Sequence, residues 1–251
     1  MTFRPRMIPV LLLRGNALVK TRNFGAPTYI GDPVNAVRIF NDLKADELVF
    51  LDILASKEKR TISLDFVRKV GEESNMPFSV GGGIRTIEDI RRIMGAGAEK
   101  VVLNTHAALD PSLVETAAKA FGSSTIVVCM DVKKNLLGRP RTWILGGTKS
   151  TGRLPEDYAR QVEQKGAGEI IVQSIVRDGM MRGYDIELIR RIADSVTVPV
   201  VALGGAGSSD HLRQAYVEGH ATGLAAGSLF VFEGPKRGVL INYPERSEIG
   251  L

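Results

Sequence analysis

The sequence predicts an α/β fold of the (βα)8 type, a TIM barrel built from two (βα)4 halves, on three observations. Eight short apolar runs recur along the chain, helical segments separate most of them, and one stretch repeats half a chain length later. The runs are MIPVLLL (7–13), ELVFLDI (47–53), PFSVG (77–81), KVVLN (100–104), TIVVCMDV (125–132), EIIVQSI (169–175), VPVVALG (198–204) and TGLAAGS (222–228). Most are rich in Val, Ile and Leu, and all are too short for buried helices, so they read as strands covered on both faces. Between them lie segments with helix start signals: Asp32-Pro33, Thr86 with Asp89 three residues on, Asp110-Pro111, and Asp185 ahead of Ile186, Leu188, Ile189 and Ile192. Strand and helix in alternation imply a parallel sheet.

The repeat selects a closed barrel over an open sheet. VGGGIRTIEDIRRIMGAGAEKVVLNT (80–105) aligns without gaps on LGGAGSSDHLRQAYVEGHATGLAAGS (203–228). Both stretches run from a glycine-rich strand end through a helix to a second strand ending in a small polar residue. A (βα)4 unit present twice closes naturally into eight strands, and 251 residues is the usual size for such a barrel. With no linker in view, residues 1–251 read as one domain. Three segments interrupt the alternation. Residues 14–31 form a long connection after the first strand, expected to be a flexible lid over the barrel top. Residues 132–149, with Gly138, Pro140 and Gly146-Gly147 around RTWIL, predict a hairpin. The tail is broken by Gly234-Pro235, Gly238 and Pro244, so the last helix is expected to be short or missing.

Composition excludes several classes. A net charge of +5 suits an anionic ligand, but no run of five basic residues occurs, which points to phosphorylated small molecules rather than nucleic acid. The opening MTFRPRMIPVLLLRG has too short an apolar run for a signal peptide, and no stretch approaches a membrane span. Cys129 is the one cysteine, so no intrachain disulfide forms and a cytoplasmic setting is expected. His106, His211 and His220 are scattered and predict no metal site; no cofactor is expected.

In barrels of this type ligand and catalytic groups stand at the C-terminal ends of the strands. Gly81-Gly82-Gly83 and Asn104-Thr105 end the third and fourth strands; Gly204-Gly205-Ala206-Gly207 and Gly227-Ser228 end the seventh and eighth. Glycine backbone beside a hydroxyl or amide side chain suits phosphate oxygens, and two such clusters related by the repeat imply a ligand with phosphate at both ends. Tight βα turns would also use these glycines. Asp131, ending the fifth strand, is a candidate general acid or base. Its counterpart across the barrel is Leu12, which cannot transfer a proton. Asp52 and Asp178 are further rim carboxylates, suited either to orienting a ligand or to holding a loop. At the opposite rim, Arg6, Glu47, Lys100 and Glu169 begin strands. Lys100 and Asn104 are an even number of residues apart, as are Arg6 and Leu12, so each pair shares a face. Two bases and two acids meeting on the axis would make a charged floor, and spacing alone reads them as a salt-bridge cluster.

Almost the whole length of the chain carries the motifs IPxLLL, LVKT, GDPVNAVRIFND, DELVFLDI, VGGGIRTIEDI, AEKVVLNT, VVxxDVK, GAGEIIVQSIVRDG, GYDIELIR and GGAGSSDHL. In these it resembles the cyclase subunit of imidazole glycerol phosphate synthase. The resemblance implies a barrel that takes ammonia from a HisH-like glutaminase docked on its floor and cyclises a bisphosphorylated nucleotide. It implies phosphate binding by Gly83, Asn104 and Thr105 and by Asp178, Gly179, Gly205, Gly227 and Ser228, a lid lysine at Lys20, and a catalytic aspartate at Asp131. It also implies an ammonia gate at Arg6, Glu47, Lys100 and Glu169. Leu12 stands where the family carries its second catalytic aspartate, and Gln173, Val176 and Met180 replace Thr, Asp and Thr of the sixth-strand motif. These departures resemble a divergent branch found with surface-polysaccharide genes. There the barrel is held to relay ammonia to a sugar amidotransferase that converts an N-acetyl sugar to an acetamidino sugar. A genuine cyclase of histidine biosynthesis is the alternative.

Overall fold

The computed structural model of the chain describes residues 4–234 and 236–250. Eight parallel strands pair in chain order: β1 (Arg6–Arg14), β2 (Leu48–Asp52), β3 (Phe78–Gly81), β4 (Lys100–Leu103), β5 (Ile126–Lys134), β6 (Glu169–Ser174), β7 (Val200–Leu203) and β8 (Gly223–Ala226). β8 pairs back onto β1, with Arg6 opposite Gly223 and Pro9 opposite Ala226, and the sheet closes into a barrel. Helices Pro33–Asp42, Leu64–Glu73, Ile87–Gly95, Ser112–Phe121, Pro155–Gln164, Ile186–Ala193 and Ser209–Val217 lie between consecutive strands. Among the described residues no helix is long and apolar enough to cross a membrane.

The start signals act as caps. Asp32 accepts from Asn35 N, Asp185 from Leu188 N, and Thr86 and Asp89 form a reciprocal capping box. Each helix turns its apolar stripe inward; in Ile186–Ala193 the buried residues are Leu188, Ile189 and Ile192. Strand alternation then divides the apolar interior in two. One cluster fills the layer between strands and helices; the other, including Ile8, Val10, Val49, Val102, Val127 and Ile171, fills the lumen.

Residues 14–31 are not one continuous loop: two short strands flank a loop at 21–27. Ala17–Lys20 pairs antiparallel with the end of β1, Leu12 opposite Val19, and Thr28–Gly31 pairs with Ala17–Lys20. Gly15 supplies the positive φ that the turn after β1 needs. The segment is thus an antiparallel extension of β1 with a loop at its tip. The hairpin expected at 132–149 is present, with β5 running on into pairing with Pro140–Ile144.

The tail replaces the eighth helix by a 3-10 turn, Ser228–Phe230, and one helical turn, Arg246–Ile249. Tyr243 holds it to the opposite end of the barrel: its ring stacks on Phe230, and its hydroxyl accepts from Asp46 N at 3.0 Å and donates to Met7 O at 2.9 Å. Arg246 pairs with Asp46 beside it.

Candidate functional site

The floor is built by the first lumen-facing residue of each of four chain segments. Arg6 bonds both Glu47 and Glu169, and Lys100 Nζ lies 3.2 Å from Glu47 and 3.1 Å from Glu169. Each cation therefore touches both anions, and the four side chains make a closed ring. Ser79 donates to Glu47 Oε1 at 2.8 Å from the next strand, a contact that no sequence signal singled out. The anions are nearly sealed, at 4% and 7% side-chain exposure, whereas Arg6 and Lys100 keep 32% and 21%. The members of the ring that reach solvent are thus the two cations. Burial works against the Arg6 charge, and Glu169 and Glu47 more than offset it, holding its pKa above the ordinary value.

Above the ring the lumen is lined by aliphatic side chains of every strand that contributes to the inner cluster, with Leu12 and Leu51 as its upper members. It opens at the top into a cavity of about 320 Å³ whose lining includes Leu12, Lys20, Asn104, Asp131, Asp178 and Ser228. Asp131 stands where lumen and cavity meet. Asn104 Nδ2 donates to its Oδ2 at 3.1 Å and to Cys129 O at 3.0 Å, and the Cys129 thiol lies 4.0 Å from its Oδ1. Burial pushes the Asp131 carboxyl up to about 7; the Asn104 amide opposes that shift and the Asp178 charge adds to it. A carboxyl that titrates near neutrality can give or take a proton at either end of a reaction. Leu12, on the opposite wall of the same cavity, brings only methyl groups.

The remaining candidate residues divide between cavity and scaffold. Gly83, at φ +65°, packs so closely that an added Cβ would lie 1.8 Å from Arg60 O, so glycine is required there whatever binds. Asn104 spends its amide on Asp131, and Thr105 Oγ1 accepts from Leu145 N at 3.2 Å, anchoring the hairpin after β5. Asp52 caps its own loop through Leu54 N and Ala55 N and pairs with Arg60, so it holds a turn. Asp178 likewise holds structure: it accepts from Thr21 Oγ1 at 2.8 Å and from Gln173 Nε2 at 3.2 Å, tying the Ala17–Gly31 extension to the loop after β6. Thr21 was not among the expected site residues, because nothing in its spacing signals a partner 157 positions away. Val176 is exposed on that loop, and Gly205 O accepts from Gly183 N at 2.8 Å.

Lys20 lies on the antiparallel extension of β1. It is buried on strand Ala17–Lys20, and its ammonium donates to Val10 O of the neighbouring β1. Gly227 leaves the room: a Cβ there would stand 2.4 Å from Lys20 Nζ. Burial lowers the Lys20 pKa to about 8, against the pull of Asp178. Ser228, buried beside it, begins the 3-10 turn.

A closed parallel barrel with glycine-rich strand ends, a charged floor and Asp131 at the top of its lumen defines a TIM-barrel protein, and sequence comparison gives the family. A family model described as "Histidine biosynthesis protein" matches residues 6–235. A protein of Leptospira borgpetersenii named "Putative imidazole glycerol phosphate synthase subunit HisF" is 47% identical over 246 residues, 98% of this chain and 97% of its own. The imidazole glycerol phosphate synthase subunit HisF of Alkaliphilus metalliredigens is 48% identical over 225 residues, 90% of this chain and 89% of its own. The chain belongs to the histidine biosynthesis protein family and is a HisF-like barrel within it.

The raised Asp131 pKa has a stability consequence. Between the ordinary carboxyl pKa and about 7 the folded chain holds a proton that the unfolded chain has released, so this group's contribution is full at low pH and is lost as pH rises through 7. Asp131→Asn removes that dependence. Urea unfolding at pH 5 and pH 8 is expected to show a loss of stability about 2–3 kcal/mol larger in the parent than in the variant. Equal losses would contradict the buried, protonated carboxyl.

Proposed function

We propose that the chain acts as one barrel domain, the ammonia-relaying subunit of a cytoplasmic glutamine amidotransferase complex. In this reading a HisH-like glutaminase docks beneath the floor and releases ammonia from glutamine. The ammonia passes the ring of Arg6, Glu47, Lys100 and Glu169 and climbs the apolar lumen to the cavity at the top. The single observation that carries the reading is the asymmetry between the two ends. The floor keeps a complete four-charge ring beneath an aliphatic lumen, while the top sets Asp131 opposite Leu12. Neutral ammonia crosses an apolar passage at little cost, whereas ammonium and water would have to shed strong hydration there. A ring in which each cation holds two anions stays shut to water and opens when one long side chain swings out.

The finer reading is that the acceptor lies on a third protein, a sugar amidotransferase that converts an N-acetyl sugar to an acetamidino sugar for surface polysaccharide such as O-antigen. This would place the chain in the divergent branch. Leu12 supports it, since cyclisation needs a second proton-transfer group at that position. A phosphorylated ligand at the strand ends of Gly83, Asn104 and Thr105 and of Gly179, Gly205, Gly227 and Ser228 fits either acceptor. The second reading, a cyclase of histidine biosynthesis, draws on the name of the Alkaliphilus relative.

Two measurements separate these possibilities. In the first, the chain is co-purified with its glutaminase, and glutamine hydrolysis and aminated product are followed together. Lys100→Ala and Glu169→Ala should each lower aminated product per glutamine severalfold, at a folding cost of about 1–3 kcal/mol, between exposed and fully buried pairs. Failure to associate at micromolar concentration, or an unchanged yield, would overturn the relay. In the second, ammonia and the bisphosphorylated nucleotide are supplied directly. Turnover should fall roughly 10²-fold or more below an ordinary cyclase, the usual cost of losing an acid or base; turnover within tenfold would restore the cyclase reading.

A further inference from the structure

The loop after β2 and the hairpin after β5 meet beside the ends of β3 and β4. Residues 55–60 of the loop pack on the glycine turn that ends β3: Gly83 lies against Arg60 O, and a Cβ there would stand 3.2 Å from Ala55 C. The hairpin is fixed to the end of β4, where Thr105 Oγ1 accepts from Leu145 N at 3.2 Å. Lys57 spans the gap between the two. Its Cε and Nζ lie 3.7 and 3.9 Å from where a Cβ on Gly146 would be. Lys57, Gly83, Thr105 and Gly146 all line the top cavity. The Lys57 side chain is exposed and makes no hydrogen bond or ion pair with any described residue. Asp52, the carboxylate that ends β2, is taken by Arg60. The polar side chains at the end of β4 are engaged as well: Asn104 Nδ2 donates to Asp131 and to Cys129 O, and Asn104 Oδ1 accepts from Thr105 Oγ1 at 3.3 Å. What this corner of the cavity offers an anion is therefore glycine backbone and one free ammonium. Backbone N–H groups supply only partial charges, and a phosphate that leaves water needs a cation to offset its lost hydration.

We propose that Lys57 holds and selects the phosphate at the ends of β3 and β4, tying the loop after β2 to the hairpin after β5 through that anion. The ligand class is a small molecule that carries a phosphate monoester at this end. An ammonium on a flexible stem, with three donors, can follow the phosphate oxygens as they settle over the glycine turn. An unphosphorylated end gains little from it, so Lys57 sets the preference for phosphorylated over unphosphorylated ligands. The inference rests on reading Gly83, Asn104 and Thr105 as a phosphate site, and adds the cation that those three residues lack.

His106 follows Thr105 and lines the same cavity, so it reports on this end alone. The chain has three histidines, and the imidazole C–H resonance of His106 can be assigned with His106→Gln. The test is proton NMR of the full chain titrated with inorganic phosphate at constant pH and ionic strength. The His106 resonance should shift and saturate in the millimolar range. Lys57→Ala should weaken that binding about tenfold, the effect of one charge-assisted hydrogen bond, and Lys57→Arg should recover part of it. Thermal unfolding should be unchanged, since an exposed side chain without partners is removed. Arg14→Ala takes the same charge from the cavity lining at the end of β1 and should weaken binding far less. Equal affinity in the parent and Lys57→Ala, or an equal loss in Arg14→Ala, would overturn the role of Lys57 and leave the strand-end site standing. If His106 does not respond at millimolar phosphate, the phosphate reading of the ends of β3 and β4 falls and takes Lys57 with it.

Discussion

The hydrogen bonds that return β8 to β1 turn a sheet with two edges into a tube. Once the tube is closed, every second residue of each strand faces a lumen too narrow for bulk water, and polar groups there can be satisfied only by one another. Arg6, Glu47, Lys100 and Glu169 meet this condition by pairing in a ring, with Ser79 satisfying a further lone pair of Glu47. Between ring and top the lumen meets it by having almost no polar groups at all. Asp131, at the upper boundary, meets it by holding its proton nearly to neutral pH and by taking the Asn104 amide.

The top is organised by different forces. In the first half of the rim Arg60 pairs with Asp52 and Glu58 within its own loop. The second half is assembled from distant pieces: the extension after β1 supplies Lys20, Thr21 and Arg22, the loop after β6 supplies Asp178 and Gly179, and the tail supplies Arg237. Asp178 and Gly179 join these pieces, one through its carboxylate and the other through the absence of a side chain. A duplicated scaffold has therefore become two unlike ends of one cavity.

How much of this could be read in advance follows from the range of the forces involved. Strand runs, helix caps and the half-chain repeat are local patterns, and they led to the barrel directly. The floor also followed from local parity, because a strand fixes which residues share a face; the pairing of each cation with both anions did not, since it needs closure. Residues 14–31 look like one long loop in sequence; TRNFGAP is a loop, but the strands on either side of it come from pairing with β1 and with each other, which local pattern does not signal. The structural roles of Thr21, Asp52 and Tyr243 depend on partners or turns that carry no signature in spacing. The strand-end glycines were legible as a cluster, but not the reason that Gly83 must be glycine, the backbone of Arg60 lying against it.

Enclosed passage through the lumen can be observed as isotope retention. The assembled complex is given glutamine labelled with 15N at the amide, together with a large excess of unlabelled ammonium, and the nitrogen in the aminated product is analysed by mass spectrometry. Transfer through the barrel predicts that the product keeps the amide label almost undiluted, and that floor variants such as Lys100→Ala admit unlabelled nitrogen. A product whose label matches the bulk ammonium ratio in the parent complex would contradict passage through this barrel.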